Sequence, residues 1–496
     1  MARGEACPRT HDSSGWTLAA AILGSSMAFI DATVVNVALP AMQAGLNATI
    51  AQVQWIGVSF TLTLAAFLLA GGSLGDLYGR RRIFSLGVIL FALASLWCGA
   101  SPTIGSLIAA RALQGIGGAM LVPGSLALVS ATFSDADRGR AIGTWSAMTS
   151  ITTALGPVLG GWLVEHLSWR WSFFVNLPLA AIVLAIASTR VPESFGGIDA
   201  ERKRLDLVGV TLTAIGLGAL AIGLIDARPV AAILGIAILG LFVLFERRTR
   251  SPMLPLSLFQ SRTFAGTNLL TLFLYTALSG VMFFLPLNLI EAQGYSPSKA
   301  GAALLPFIAS MFLLSRWSGN LVQRVGARLP LIIGPIVVTI GLALFARPSI
   351  GGSYWTTFFP AVAVLGLGMA IAVAPLTTAV MSSVPRERAG IASGVNNAVS
   401  RVAGLLGIAA LGLVLSIAFN HSLDRRIATG GVPDSARAEV DAQRSRMADA
   451  HVNDARARAA IDNAFVDAFR AVVLVAAALG IASALSAALF VESDPK

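Results

Sequence analysis

The sequence is poor in charge, lysine, histidine and cysteine. Charged residues make up 12% of its 496 residues, whereas soluble domains carry roughly 25%. Lysine occurs only at Lys203, Lys299 and Lys496, and the chain has four histidines. The two cysteines, Cys7 in a polar tail and Cys98 in an apolar run, give no indication of a disulfide framework. So little charge excludes a string of ordinary soluble domains.

Missing motifs exclude several classes of function. The sequence has no GxxxxGK[ST] phosphate loop, so ATP does not drive the protein directly. No histidine or cysteine cluster has metal-ligand spacing, and no nucleophile–base pair suggests hydrolysis. We therefore expect no metal, no cofactor and no enzymatic activity. The net charge of +10 does not indicate a nucleic-acid partner, because the basic residues form short clusters between apolar runs.

Apolar sequence is abundant, at 56% of all residues. A membrane-spanning helix needs about 20 mostly apolar residues, and such runs follow one another along the chain. The sequence therefore predicts an all-α, polytopic protein in a lipid bilayer. A window of about 19 residues places fourteen spans, at 16–39, 53–72, 83–100, 104–127, 141–163, 171–189, 207–225, 229–245, 265–290, 300–317, 329–347, 355–379, 391–420 and 468–491.

The distribution of arginine in the loops predicts the orientation. Most basic residues, including three arginines at 80–82, lie in the tails and in the loops on the same side as the tails. The short loops opposite hold only Arg170, Arg228, Lys299 and Arg347. Because cytoplasmic loops carry the excess of positive charge, both termini should be cytoplasmic. Heavy use of alanine, glycine and arginine suggests a GC-rich bacterial genome, so we expect a multi-pass protein of the bacterial cytoplasmic (inner) membrane.

An internal repeat divides the spans into two sets. The segment GSLGDLYGRRR at 72–82 aligns with GNLVQRVGARL at 319–329, where Gln323 replaces Asp76. Glycines of the fifth span of each set repeat at a similar separation. Two helix sets related by such a repeat are typical of secondary transporters, with the substrate path between the sets. We predict pseudo-symmetric six-helix halves at 1–195 and 262–496, joined by two helices at 196–261.

One predicted loop, at 421–467, is unusually long. It falls on the side opposite the termini and is rich in alanine, arginine and aspartate. Long loops cross the membrane regardless of charge, so this loop does not change the topology. Its composition favours helix, and it is either a solvated connector or a structure lying over the pore mouth.

The loop at 72–82 combines glycine, one carboxylate and three arginines. Gly72 and Gly79 allow a sharp turn between two helix ends, and Asp76 beside Arg80 forms a compact charge cluster. Anchoring by cytoplasmic arginines accounts for the positive charge but not for the spacing of the glycines and the aspartate. We therefore expect a specific packing role for this loop.

Two spans carry charges that are expensive inside a membrane. Arg111 lies roughly 10 Å from the outer surface at 1.5 Å per residue, and Gln114 shares its helical face. Asp31, in the first span, lies roughly 13 Å from the same surface. The two charges can therefore share one aqueous cavity. The alternatives are an arginine that extends to the interface and a carboxylate satisfied by neighbouring hydroxyls.

The second half has its own intramembrane arginine. Asn397 and Arg401 lie at helical spacing on one polar face, and Arg401 is roughly 16 Å deep. This half offers no intramembrane acid to pair with it. We expect Arg401 to face the cavity, with capping of backbone carbonyls as the alternative. Phe60 and Asn288 are further candidates for the cavity lining.

The fifth span has the spacing of a helix-packing motif. Gly156 and Gly160 lie four residues apart with Pro157 between them. Small residues at this spacing let helices approach closely, and proline bends a helix. Packing alone would account for such a motif in any polytopic protein.

These segments resemble the fourteen-helix drug:proton antiporter branch of the major facilitator superfamily. The resemblance implies that the loop at 72–82 is a cytoplasmic latch between the halves, with Asp76 as its key member. It implies that Arg111 takes part in proton transfer and that the motif of the fifth span is the antiporter motif. The similar segments are those around Asp31 and at 72–82, 111–119, 154–161, 169–178 and 390–407.

The resemblance implies a proton-coupled antiporter that exports amphipathic drugs, often cationic or lipophilic, by alternating access. We expect Asp31 to carry the proton and, when deprotonated, to bind a cationic substrate, while Arg111 modulates that affinity. We expect the protein to act as a monomer. The alternatives are proton-coupled export of one physiological solute (a lipid, a siderophore or an antibiotic), an uncoupled facilitator, and a membrane sensor that does not transport.

Overall fold

The computed structural model describes residues 11–196, 206–249, 252, 254–385, 388–430 and 432–492. Within these ranges the chain is α-helical and forms no strand, as the sequence predicted. The α-helices are α1 His11–Leu46, α2 Ile50–Tyr78, α3 Arg80–Ala100, α4 Ile104–Thr132, α5 Asp135–His166, α6 Trp171–Phe174, α7 Asn176–Arg190, α8 Leu207–Ile225, α9 Pro229–Arg248, α10 Arg262–Leu287, α11 Pro297–Ala302, α12 Leu305–Val325, α13 Arg328–Leu344, α14 Tyr354–Ser382, α15 Ala389–Thr429, α16 Asp434–Gln443 and α17 Ala455–Phe490.

The part of the chain that the structure describes has thirteen helical segments long and apolar enough to cross a membrane. The helix Arg328–Leu344 is apolar but shorter. At 1.5 Å per residue its 17 residues extend roughly 26 Å, slightly less than the hydrocarbon core of a bilayer. The polytopic helical architecture is thus confirmed, and the fourteenth span stays a prediction.

Consecutive long helices run in opposite directions because short loops join them. We call the side on which α1 begins the near side and the side on which it ends the far side. The turn between α2 and α3 is on the near side, and the start of α2 is on the far side. The predicted cytoplasmic termini, at 1–10 and 493–496, lie outside the described residues, as does 197–205 within the linking region.

The helices form an N-terminal group, α1–α7, and a C-terminal group, α10–α15 with α17. In the N-terminal group, α1 packs on α5 and α4 packs on both α2 and α3; in the C-terminal group, α10 packs on α15 and α17. Small residues permit this packing, since Gly115 lies so close to the carbonyl of Phe60 that a side chain would overlap it. Between the groups, α2 packs on α15 and α5 on α11. The linking helices α8 and α9 pack on each other, and α8 also contacts α2 and α15.

The segment at 421–467 is mostly helical and packed, not a solvated connector. The helix α15 continues to Thr429, α17 begins at Ala455, and α16 and a 3₁₀-helix lie between them. Met447 and Asp449 are buried, and Arg446 donates to Asp449 Oδ2 at 2.6 Å. The side-chain amide of Gln43, near the end of α1, donates to the carbonyl oxygen of Arg446 at 2.9 Å. This segment therefore covers the far side and contacts both helix groups.

Candidate functional site

A charge pair lies buried inside the N-terminal group. Asp31 on α1 is 0% exposed and Arg111 on α4 is 2% exposed. Arg111 Nη1 donates to Asp31 Oδ2. The structure thus brings together the two charges whose depths along separate helices suggested a common location. Because the two opposite charges are in direct contact, the free-energy cost of burying each one in a membrane interior is lower than it would be alone.

Neutral polar groups complete the surroundings of the Asp31 carboxylate. Its Oδ1 accepts hydrogen bonds from Gln114 Nε2 at 2.8 Å and from Asn176 Nδ2 at 3.2 Å. Gln114 Nε2 also donates to the Ser95 hydroxyl at 2.8 Å, and Asn176 Nδ2 approaches it at 3.3 Å. Charged and amide donors of α4 and α7 therefore converge on the carboxylate of α1, and the Ser95 hydroxyl of α3 accepts from the same two amides.

Arg111 is held on its other sides as well. Its Nε donates to the carbonyl oxygen of Ile56 at 3.1 Å, and its Nη1 donates to Gln114 Oε1 at 2.7 Å. The Phe60 ring lies 4.4 Å from the guanidinium carbon and the Phe173 ring 5.8 Å from it, within the range of cation–π contacts. Phe60 therefore packs under the arginine and is 3% exposed.

The burial of this network corrects part of the expected site. Asp31, Arg111, Phe60 and Gln114 were expected to line an aqueous cavity, but in this structure all four are buried within the N-terminal group. Packing accounts for this burial, because glycines on α4 bring its backbone against α2. Asn288, another candidate, is 1% exposed at the far-side end of α10.

A polar cavity lies instead between α10, α14 and α15, towards the near side. Asn397 is exposed and lines this cavity. Arg401, one turn further along α15, is half-buried. Its guanidinium carbon lies 5.6 Å from the Phe29 ring of α1, across the boundary between the helix groups. The cavity lining consists of Tyr275, Leu376, Thr377, Val380, Met381, Ser393, Asn396, Asn397 and Ser400.

The predicted antiporter motif is a contact surface on the far side. A side chain at Gly156 would overlap the Thr33 hydroxyl of α1, and one at Gly160 would lie 2.8 Å from the carbonyl oxygen of Val34. The next turn of α5 faces the C-terminal group, where the carbonyl oxygen of Pro157 lies against Gly301 of α11. The motif therefore packs α5 against α1 and, on the far side, against α11.

The near-side turn contacts its own helix group. Arg80 pairs with Asp76, with Nη2 and Oδ1 2.9 Å apart, and Glu193, after α7, accepts a hydrogen bond from the Arg81 backbone at 2.9 Å. The Arg80 backbone donates to the carbonyl oxygen of Ser194 at 2.9 Å. The resemblance implied a latch between the halves, whereas here the hydrogen bonds and ion pairs of the turn, among the described residues, lie within the N-terminal group. The side chain of Gln323, in the second copy, lies outside the described residues.

Gly79 makes this turn possible. Its φ is +105°, a conformation that L side chains rarely adopt, and a Cβ there would lie 2.9 Å from the Glu193 carboxyl carbon. Gly72, in contrast, has only a Cβ atom of Pro123, at 3.7 Å, near the position of an added Cβ. We expect Gly79→Ala to lower stability by about 1–3 kcal/mol and Gly72→Ala to have little effect. Thermal unfolding in detergent measures both, and equal melting temperatures for the two variants would contradict this account of the turn.

Sequence reasoning missed three residues of these sites. Asn176 and Ser95 complete the Asp31 network, and Glu193 organises the near-side turn. Asn176 belongs to the segment at 169–178, which was noted only for its similarity to the superfamily. Its amide within an apolar span was a usable signal, because a polar group in that setting requires a partner. Glu193 gave no comparable signal, since its position after α7 is polar in any case.

An antiparallel helical bundle with two groups of spans, a buried charge pair and a polar cavity is the architecture of a membrane transporter. The chain matches the Major Facilitator Superfamily model over residues 21–408. The chain belongs to the major facilitator superfamily, which confirms the family that the motifs indicated.

The names of similar proteins refer to drug resistance and export. The chain is 37% identical over 437 residues to the multidrug resistance protein Stp of Mycobacterium tuberculosis, covering 86% of this chain and 80% of that protein. It is 34% identical over 423 residues to the tetracenomycin C resistance and export protein of Streptomyces glaucescens, covering 81% and 76%. The fold is similar to that of a bacterial homologue of the lysosomal transporter Spinster, with a TM-score of 0.66 at 17% identity, covering 98% of this chain and 100% of that one.

Proposed function

We propose that this protein exports amphipathic organic compounds from the cytoplasm in exchange for protons, by alternating access. The near side is then the cytoplasmic face of a bacterial inner membrane, and both termini are cytoplasmic. The predicted halves at 1–195 and 262–496 are the moving units, α8 and α9 connect them, and α13 is the remaining span of fourteen. One chain contains a complete pair of halves and acts as a monomer.

The observation that carries this proposal is the buried Asp31–Arg111 pair. A proton that binds Asp31 removes the negative charge and leaves Arg111 buried without its counter-charge. Breaking a buried pair on one side typically costs about 3–5 kcal/mol. The proton therefore cannot bind without favouring a rearrangement that exposes or re-pairs the arginine. A group whose protonation forces a change of conformation is what proton-coupled alternating access requires.

The helix α1 supplies a direct route from this pair to both sides of the boundary between the groups. Asp31 lies in the network, Thr33 and Val34 contact the antiporter motif on α5, and Phe29 faces Arg401. A small displacement of α1 after protonation would alter all of these contacts together. These residues form a continuous path of packed side chains from the pair to both contacts.

The contacts of this conformation fit the state that is open to the cytoplasm. On the far side, α5 lies against α11, and the Glu165 carboxylate accepts a hydrogen bond from the Ser298 backbone at 3.0 Å. On the near side, Asn397 and Thr377 are exposed beside the polar cavity. A cavity reached from the cytoplasm and sealed on the outside is where an exporter would take up its cargo.

The names of the relatives support drugs and antibiotics as cargo. One is a multidrug resistance protein, which favours broad specificity. Another is named for resistance to and export of a single compound, tetracenomycin C, which favours the narrower alternative of one physiological solute. The uncoupled facilitator is less consistent with the structure, since it needs no buried titratable pair.

Purified protein in proteoliposomes tests the proposal. With a pH-sensitive dye inside, adding a panel of aromatic amphiphiles should drive proton movement opposite to that of the compound. Collapsing the pH gradient with an electroneutral proton–potassium ionophore should reduce concentrative export at least tenfold. Concentrative transport that persists without a proton gradient, or equilibration with no proton movement, would overturn the coupling.

A further inference from the structure

Arg111 and Arg401, each within a long apolar helix, differ in how they are neutralised. Arg111 is paired with Asp31 inside the N-terminal group. For Arg401, the part of the chain that the structure describes offers no carboxylate and no hydrogen-bond acceptor, and its recorded contact is the face of Phe29. The alternative that Arg401 caps backbone carbonyls therefore finds no support in these residues.

Arg401 belongs to the same helix face as the cavity lining. Asn397 lies four residues before it on α15, which places the two on one side of the helix. Tyr275, on α10, lines the cavity with Asn397. The Arg401 guanidinium therefore lies one helical turn beyond the cavity lining, on the same side of α15, with its carbon atom 5.6 Å from the Phe29 ring.

The charge balance of the cavity follows from these contacts. The Asp31 carboxylate cannot act as a counter-charge for cargo, because it is 0% exposed and already accepts from Arg111, Gln114 and Asn176. The cavity lining contains hydroxyl and amide groups but no acidic side chain. Among the described residues, Arg401 supplies a positive charge one helical turn beyond the uncharged lining.

A guanidinium has five N–H donors and no acceptor, and at a half-buried position those donors that are shielded from water need a hydrogen-bond partner. A carboxylate or phenolate matches its geometry and forms charge-assisted hydrogen bonds with it. A cationic cargo would be repelled and would find no acidic partner. The apolar side chains of Leu376, Val380 and Met381 offer the same cavity a wall for a hydrophobic ring system.

We propose that Arg401 selects the charge of the cargo, and that the preferred cargo is an aromatic amphiphile bearing a carboxylate or phenolate. This inference rests on the proposed export function and specifies its substrate class. It replaces the cationic cargo that the sequence suggested with an anionic one.

Two dyes with one ring skeleton test the proposal. Anionic fluorescein and a cationic rhodamine methyl ester share the xanthene rings but differ in charge, so their uptake ratio in inverted proteoliposomes reports charge selection. The wild type should transport fluorescein at least tenfold better than the rhodamine. Arg401→Gln should reduce that ratio at least tenfold, Arg401→Lys should retain a measurable part of it, and Arg401→Glu should invert it.

Two control variants separate charge selection from a structural role. Phe29→Leu removes the ring contact and keeps the charge, so the dye ratio should persist. If the ratio is instead lost to the same extent as in Arg401→Gln, Arg401 acts by joining α15 to α1. Arg262→Gln, at an exposed arginine where α10 begins, should leave the ratio unchanged. If the rhodamine is transported and fluorescein is not, the inference about charge is overturned while the proposed export stands. If neither dye is transported, the proposed export fails for these probes and the inference fails with it.

Discussion

Asp31→Asn should abolish proton-coupled export while sparing exchange of one substrate molecule for another. Asparagine keeps the shape of the carboxylate and can still accept from Gln114, but it can neither take up nor release a proton. We therefore expect concentrative, pH-driven export to fall at least tenfold. Substrate–substrate exchange, which needs alternating access without a net proton step, should remain within a few-fold of wild type.

The matched variants decide whether Asp31 acts by titration or by holding the fold. Asp31→Asn leaves Arg111 buried and uncompensated, so a loss of stability of about 3–5 kcal/mol is expected. The double variant Asp31→Asn/Arg111→Gln removes both charges, and its thermal stability should recover because replacing a whole buried pair is often neutral. Coupling should remain absent in the double variant. Coupled export at the wild-type rate in a well-folded Asp31→Asn protein would contradict this mechanism. The control is Asp226→Asn, at an exposed aspartate that follows α8.

The sequence alone was enough to place the charged residues along the membrane normal. In an almost uninterrupted series of apolar helices, each charged residue has a definite depth, and a fixed rise per residue converts position into distance. That arithmetic put Asp31 and Arg111 at similar depths, and the structure has them in contact. The requirement that a buried charge be paired then favoured their association.

Depth does not determine which way a side chain points around its helix. A helix that is apolar on all sides has no strong contrast between its faces, so periodicity does not say which neighbour it meets. This is why Asp31 was expected in an open cavity while Phe29, two residues earlier, went unnoticed. In the structure Asp31 faces α4 and α7, whereas Phe29 faces the C-terminal group. Only the packing of neighbouring helices resolves that choice.

The long far-side segment illustrates the same limit. Its alanine-rich composition indicated helix, and α15, α16 and α17 indeed extend into it. Its charges suggested solvent, but many are paired within the segment, as Arg426 is with Asp467 at 2.6 Å. Pairing of this kind depends on tertiary neighbours and lets a charged segment pack over apolar helix ends. The hydrogen bond from Gln43 to the Arg446 carbonyl joins this segment to α1. We therefore expect that hydrogen bond to change when the far side opens.

Those far-side contacts lead to the second large expected effect, at Gly301. The backbone carbonyl of Pro157 lies where a Cβ of residue 301 would be, and the carbonyl of Pro297 likewise occupies the place of a Cβ at Gly161. Backbone atoms in two packed helices cannot move aside as a flexible side chain would. Gly301→Leu should therefore force α5 and α11 apart and favour the state that is open to the far side.

We expect Gly301→Leu to reduce export at least tenfold without unfolding the protein, because each helix stays packed within its own group. Spin labels at His166→Cys and Lys299→Cys, both exposed positions at the far-side ends of α5 and α11, should report a longer distance in this variant, in a background with the native cysteines replaced. Gly301→Ala should give a smaller change in the same direction. Gly240→Leu is the matched control, since nothing lies within 4 Å of a Cβ there. An unchanged label distance together with wild-type export in Gly301→Leu would show that α5 and α11 do not form the outer seal.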